Sequence, residues 1–214
     1  MSPYKAVLFD MDNTLHSLYD ARFAAADCVM AYKGVFPDLH LFSLNRDNPT
    51  LLEKSVGQYI SENNLNGEAE CIWLYKAAEL FCVREYEGMR EVLNTLKNAG
   101  VKLAVISNAD PISSKKRLES LEFTEFFDIV VSPETFGVKK PDPQVYIKTI
   151  EALGVSANEC AMIGDRIDRD VTPPRELGIF GIHAWYGSLD EKDSVCYVNR
   201  PEEILRVLGL EPVQ

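Results

Sequence analysis

Ala6-Val7-Leu8-Phe9-Asp10-Met11-Asp12-Asn13-Thr14 carries four apolar residues without alternation straight into two carboxylates two positions apart, with a hydroxyl two further on. An unbroken apolar run of this kind predicts a strand covered on both faces. Carboxylates at its end are costly to desolvate unless they serve a purpose. Four further runs share the pattern: Val101 to Ile106, Phe127 to Val131, Cys160 to Ile163 and Ile179 to Ala184. Helix-like stretches flank or separate them: Gly88 to Ala99, Ser113 to Leu121, Asp142 to Leu153, Pro173 to Leu177, and a closing Pro201 to Leu208 stopped by Gly209. Strands alternating with helices predict an α/β fold, a doubly wound parallel sheet with a Rossmann-like core.

Residues 16–85, between the first and second strands, far exceed an ordinary crossover of a dozen or so residues. They predict an inserted helical subdomain, with 1–15 and 86–214 forming the α/β core. Within the insertion, Leu18, Ala21, Ala25, Val29 and Tyr32 recur at helical spacing, as do Leu52, Val56, Tyr59 and Ile60, and again Leu74, Tyr75, Ala78, Phe81 and Cys82. A turn-rich connection from Gly34 to Thr50 and a shorter one around Asn63 to Gly67 join these helices.

At 214 residues, 46% apolar and 26% charged, the chain has the size and composition of a packed globular protein. A net charge of −11 repels a phosphate backbone, which excludes nucleic acid as a partner. The same balance requires that any anionic ligand meet a local positive site, whether a metal, a few cationic side chains or backbone N–H groups. No apolar run approaches the ~20 residues needed to span a bilayer, and the opening Met1 to Asp12 enters a strand-like segment instead of a signal peptide. The five cysteines are odd in number and lack a C-x-x-C pair, the usage of a reducing, cytoplasmic compartment. His16, His40 and His183 are too dispersed in sequence for a structural zinc site.

In open α/β sheets ligands bind beyond the carboxyl ends of the strands, and the chemically loaded residues gather at such places. Asp10, Asp12 and Thr14 follow the first strand, and Ser107-Asn108 the second. Lys139-Lys140-Pro141 follow the third through a loop, and Gly164-Asp165 with Asp170 the fourth. On these four segments the chain resembles the haloacid dehalogenase-like hydrolase superfamily, in its capped phosphatase branch, a resemblance that makes residues 16–85 the helical cap subdomain. D-x-D-x-T matches Asp10, Asp12 and Thr14; the second motif is similar to Ser107-Asn108; the third resembles Lys140-Pro141; and G-D-x-x-x-x-D matches Gly164, Asp165 and Asp170. The resemblance covers nearly the whole chain. Arg166 departs from it where a small residue is common, and Pro173-Pro174 where Gly-Ala is frequent.

An ionised carboxylate can attack phosphorus in line and divide hydrolysis into two easier steps, which suits Asp10. Asp12 suits the group that gives a proton to the leaving oxygen and later takes one from water. Lys140, Ser107 and the amide of Asn108 are the expected donors to the phosphoryl oxygens, with Thr14 tying down the loop and donating secondarily. Several carboxylates beside a phosphate call for a hard divalent cation, Mg²⁺. The resemblance implies Asp10, the Asp12 carbonyl and Asp165 as its ligands, with Asp170 joining them or orienting Lys140. The expected activity is hydrolysis of a small-molecule phosphate ester by a monomer or homodimer. The alternatives are a sugar-phosphate mutase and a non-catalytic regulatory protein of the same fold, the latter disfavoured by the intact residue set.

Overall fold

The computed structural model describes residues 3–34, 61–62, 66–193 and 195–210. The helix expected around Leu52 to Ile60, nearly all of the Gly34 to Thr50 connection and His40 lie outside them. Two compact units are distinguished: Met1–Ser17 with Glu85–Gln214, and Leu18–Arg84.

The first unit is built on β1 (Ala6–Phe9), β2 (Lys102–Ile106), β3 (Ile129–Val131), β4 (Cys160–Gly164), β5 (Phe180–Ala184) and β6 (Tyr197–Val198). They form one sheet in the order β3-β2-β1-β4-β5-β6, every neighbouring pair parallel. All four residues of β1 are fully buried, as befits a central strand. Two-residue β6 was not anticipated, because so short an edge strand leaves no periodic signal. From β1 the chain builds outward through β2 and β3, then returns to β4 on the other side of β1. That reversal opens a crevice at the carboxyl ends of β1 and β4, the usual ligand site of doubly wound sheets.

Period-two alternation divides the apolar residues of the strands between two faces. Ala6 and Leu8 join Ala104, Ile106 and Met162 in a core closed by Val145, Tyr146, Ile150 and Leu153. Those four lie on the helix Pro143–Leu153, which starts with Asp142 accepting from the Gln144 N–H and stops at left-handed Gly154. Another helix in contact with β2, Met89–Asn98, buries Met89, Val92, Leu93 and Leu96 at 3.6-residue spacing.

In the Leu18–Arg84 unit, α1 (Leu18–Lys33) and α2 (Glu68–Cys82) share a core of Ala25, Ala26, Val29, Met30, Cys71, Tyr75 and Ala78. The expected stripes need correction at their ends. Tyr32 donates its hydroxyl to Glu70 at the surface, and Phe81 is 78% exposed, both displaced from the buried arc. In order, the helices of the other unit are α3 (Met89–Asn98), α4 (Pro111–Ser120), α5 (Pro133–Phe136), α6 (Pro143–Leu153), α7 (Thr172–Glu176) and α8 (Glu203–Val207). No helix among the described residues is long and apolar enough to cross a membrane.

Candidate active site

Register brings the motif residues together. Phe9 pairs with Val105 of β2 and Ile163 of β4, so the next residue, Asp10, emerges between the loops that carry Ser107 and Asp165. The Asp10 N–H continues the ladder to the Ile163 carbonyl at 2.8 Å. Beyond it the chain turns tightly: Leu15 N–H donates to the Met11 carbonyl, and Asn13 takes a left-handed φ of 61°, which asparagine tolerates better than most residues. The Thr14 hydroxyl points at Asp10 Oδ2 from 3.5 Å, so its main service is to this loop.

A second layer clamps the turn from β5. The 3₁₀ turn Trp185–Gly187 follows that strand, the Tyr186 hydroxyl donates to the Thr14 carbonyl at 2.9 Å, and the Tyr186 ring packs edge-on against Tyr86. At Gly187 a Cβ would stand 1.7 Å from the Asn13 carbonyl oxygen, so only glycine allows this approach.

Lys140 is 3% exposed, and its ammonium donates to Asp10 Oδ1 and, at 2.6 Å, to Asp170 Oδ1. Its backbone is fixed by Asn108, whose side-chain amide donates to the Lys140 carbonyl and whose oxygen accepts the Lys140 N–H, both at 2.9 Å. The Asn108 side chain is thereby committed to placing Lys140. Ser107 is buried, its Oγ accepting from the Ala109 N–H at 3.1 Å. Lys139 is exposed.

Asp170 arrives on a π-helical turn, Ile167–Val171, and accepts from the Arg166 N–H at 3.2 Å. A Cβ on Gly164 would fall 2.3 Å from the Asp170 Cβ, so the glycine of the fourth motif makes room for the aspartate that ends it. Asp10, Asp165 and Asp170, all buried, place carboxylate oxygens within 4.8 Å of one another. Asp165 is anchored through its carbonyl, which accepts from Ser188 Oγ at 2.5 Å and from His183 Nε2 at 3.2 Å. Because His183 Nδ1 accepts the Asp193 N–H, the proton of a neutral ring belongs on Nε2. Burial holds the His183 pKa below its ordinary value, consistent with that neutral form.

The electrostatics follow from crowding acids away from water. Burial raises the Asp10 carboxyl from its ordinary 3.8 to about 6, with Asp170 and Asp12 adding to the rise and Lys140 opposing it. Burial, then Asp10 and Asp170, push Asp165 well up. Burial disfavours the Lys140 charge, yet its two carboxylate neighbours prevail and hold its pKa above the ordinary lysine value.

Asp12 belongs to none of this cluster. Its carboxylate faces Arg117, whose Nη1 lies 3.0 Å from each oxygen, and fully buried His16 brings Nε2 within 3.1 Å of Oδ1. Arg166, the departure in the fourth motif, turns to Asp168 at 3.1 Å. Trp73 is 69% exposed on α2. Arg117, Tyr186, Gly187 and Ser188 are not singled out by the sequence, and His183, set aside there as a zinc ligand, contacts the Asp165 carbonyl. Only Arg117 left a signal, a charge aligned with Ser114, Leu118 and Leu121 on the buried stripe of α4.

A phosphoglycolate phosphatase from Aquifex aeolicus is 28% identical over 215 residues, covering 95% of this chain and 96% of that protein. A glyceraldehyde 3-phosphate phosphatase from Methanocaldococcus jannaschii is 26% identical over 224 residues, covering 95% and 96%. Among solved structures, YfnB of Bacillus subtilis bound to magnesium matches the fold with a TM-score of 0.76 at 16% identity, over 96% of this chain and 99% of that one. The model of the haloacid dehalogenase-like hydrolases matches residues 4–178, a span that takes in all four segments gathered at the sheet edge, and the chain belongs to that family.

Proposed function

We propose that the chain is a magnesium-dependent phosphatase of small phosphate esters, with Asp10 as nucleophile and Asp12 as the group that gives and takes the proton. The observation that carries this reading is the division of two neighbouring carboxylates between unlike surroundings. Asp10 sits in the buried cluster with Lys140, Asp165 and Asp170, whereas Asp12 is turned to Arg117.

In the first step an Asp10 oxygen forms a bond to phosphorus, the ester P–O bond breaks, and the leaving alkoxide takes a proton from Asp12. In the second, Asp12 takes a proton from the water that attacks the aspartyl-phosphate, which releases inorganic phosphate and restores Asp10. Lys140, the Ser107 hydroxyl and the Asn108 N–H face the phosphoryl oxygens. Three buried carboxylates against one ammonium form an oxygen donor set with surplus negative charge, which fits Mg²⁺. Asp10, Asp165 and the Asp12 carbonyl would hold the ion, and Asp170 both orients Lys140 and lies within reach of the other two acids. When bound, it would supply positive charge to offset the negative charge of the phosphoryl group.

The two relatives named above act, by name, on different small phosphates, so what they share is the phosphoryl end. The substrate proposed for this chain is accordingly a small phosphorylated alcohol or sugar, and choice among esters is assigned to the 16–85 insertion. The covalent step is tested by acid-quenching a single turnover of radiolabelled ester and mapping the label. Label on the peptide carrying Asp10, absent from Asp10→Asn, supports the mechanism; product release with no labelled protein at any time overturns it.

A further inference from the structure

Arg117 is a charged side chain left 7% exposed on α4, a helix that contributes none of the four motifs. A buried guanidinium is costly unless a carboxylate compensates it. Here the carboxylate is Asp12, reached across 105 residues of sequence. Its Nη1 stands 3.0 Å from Oδ1 and 3.0 Å from Oδ2, so it engages both oxygens of the carboxylate. On Oδ1 the His16 ring closes in, with Nε2 at 3.1 Å. Although that distance is short, neither ring nitrogen of His16 makes a hydrogen bond of proper direction, so the ring acts as a wall against Asp12 and not as a second donor.

We propose that Arg117 is a positioning residue for phosphate-ester cleavage, fixing the carboxyl of Asp12 where it meets the ester oxygen. The proposal rests on the assignment of Asp12 as the proton donor. α4 is a suitable base for the arm, because its start is secured by Asp110 accepting the Ser113 N–H at 2.9 Å and by Pro111 in the first turn. The turn that carries Asp12 is independently fastened by Tyr186 and Gly187. With both ends anchored, loss of Arg117 removes the contact to both carboxylate oxygens while the loop stays in place.

The test is the dependence on leaving group. The quotient kcat/KM reports the step that forms the aspartyl-phosphate, in which an alkoxide needs a proton and p-nitrophenolate does not. Arg117→Met should lower kcat/KM for β-glycerophosphate about 30-fold and for p-nitrophenyl phosphate less than about 3-fold. Arg117→Lys, which retains a donor, should recover most of the difference. In an Asp12→Asn background, Arg117→Met should add little further loss with β-glycerophosphate. Equal losses on both esters in folded Arg117→Met and Arg117→Lys, beside an Asp12→Asn variant that does discriminate, would overturn the positioning role and leave the assignment of Asp12 standing. An Asp12→Asn variant that fails to discriminate would remove that assignment and the proposal with it. Should the Met variant not fold, Arg117→Gln carries the same readout, with Arg117→Lys as its rescue.

Discussion

Replacing Lys140 by methionine keeps most of the buried stem and deletes the ammonium that bridges Asp10 and Asp170. The Lys140 side chain is 2% exposed and that of Asp170 1%, so solvent screens the contact little. Removing one partner of a buried ion pair generally costs about 3–5 kcal/mol. Proton uptake limits the cost. Burial already raises Asp10 from 3.8 to about 6 in the presence of Lys140, and without it the carboxyl rises further. A carboxyl with a higher pKa in the folded state than in the unfolded one binds more protons when folded, so stability falls as pH rises between the two values.

For the metal-free parent that window runs from 3.8 to about 6. In the variant the upper edge moves higher still, so the loss continues where the parent has levelled off. Urea denaturation in chelator should find Lys140→Met about 1 kcal/mol less stable than the parent near pH 5 and about 3 kcal/mol less stable near pH 8. Turnover should be lost at both. A deficit below about 0.5 kcal/mol at the higher pH, or the same deficit at both, would refute the view that Lys140 offsets the charge of buried acids.

Asp10→Asn should fold normally and lose several orders of magnitude in turnover, checked by steady-state phosphate release beside an unchanged circular dichroism spectrum. Chelation should abolish activity and Mg²⁺ restore it, whereas Ca²⁺, with its larger and looser oxygen shell, should restore little. Asp165→Ala should raise the Mg²⁺ concentration for half activity; an unchanged requirement removes Asp165 from the ion. Gly187→Ala places a methyl 1.7 Å from the Asn13 carbonyl oxygen, and should cost about 1–3 kcal/mol in thermal or urea unfolding together with a fall in kcat.

What was legible in the sequence depended on whether its cause was local. β1, β2 and β4 are covered on both faces and read as continuous apolar runs, and each delivers its polar residues within a few positions of its end. Asp10, Ser107 and Asp165 could be placed because strand and side chain are adjacent in the chain. Tyr32 and Phe81 misled for the converse reason: an apolar residue at the last turn of a helix matches the period, while the partner helix decides whether that turn is covered. Gly187 carries no local mark, since its requirement is set by the Asn13 carbonyl of a distant loop. The pairing of the Asn108 side chain with the backbone of Lys140 is equally non-local, and it leaves the Asn108 N–H as the group proposed for phosphate.

Arg117 lies between these cases. Its partner could not be read from the sequence, yet its anomaly could. Ser114, Leu118 and Leu121 define the buried side of α4, and an arginine among them breaks the pattern expected of a buried stripe. A charge on a buried stripe must be compensated by some carboxylate, and the motif at the end of β1 offers two. Asp10 is taken by Lys140, and Asp12 lies within 3.0 Å of Arg117. The two adjacent acids of the first motif are thus kept in unlike surroundings by two cations from different segments, Lys140 on the loop before α6 and Arg117 within α4. The proposed mechanism assigns attack to the carboxylate beside Lys140 and the proton to the one beside Arg117.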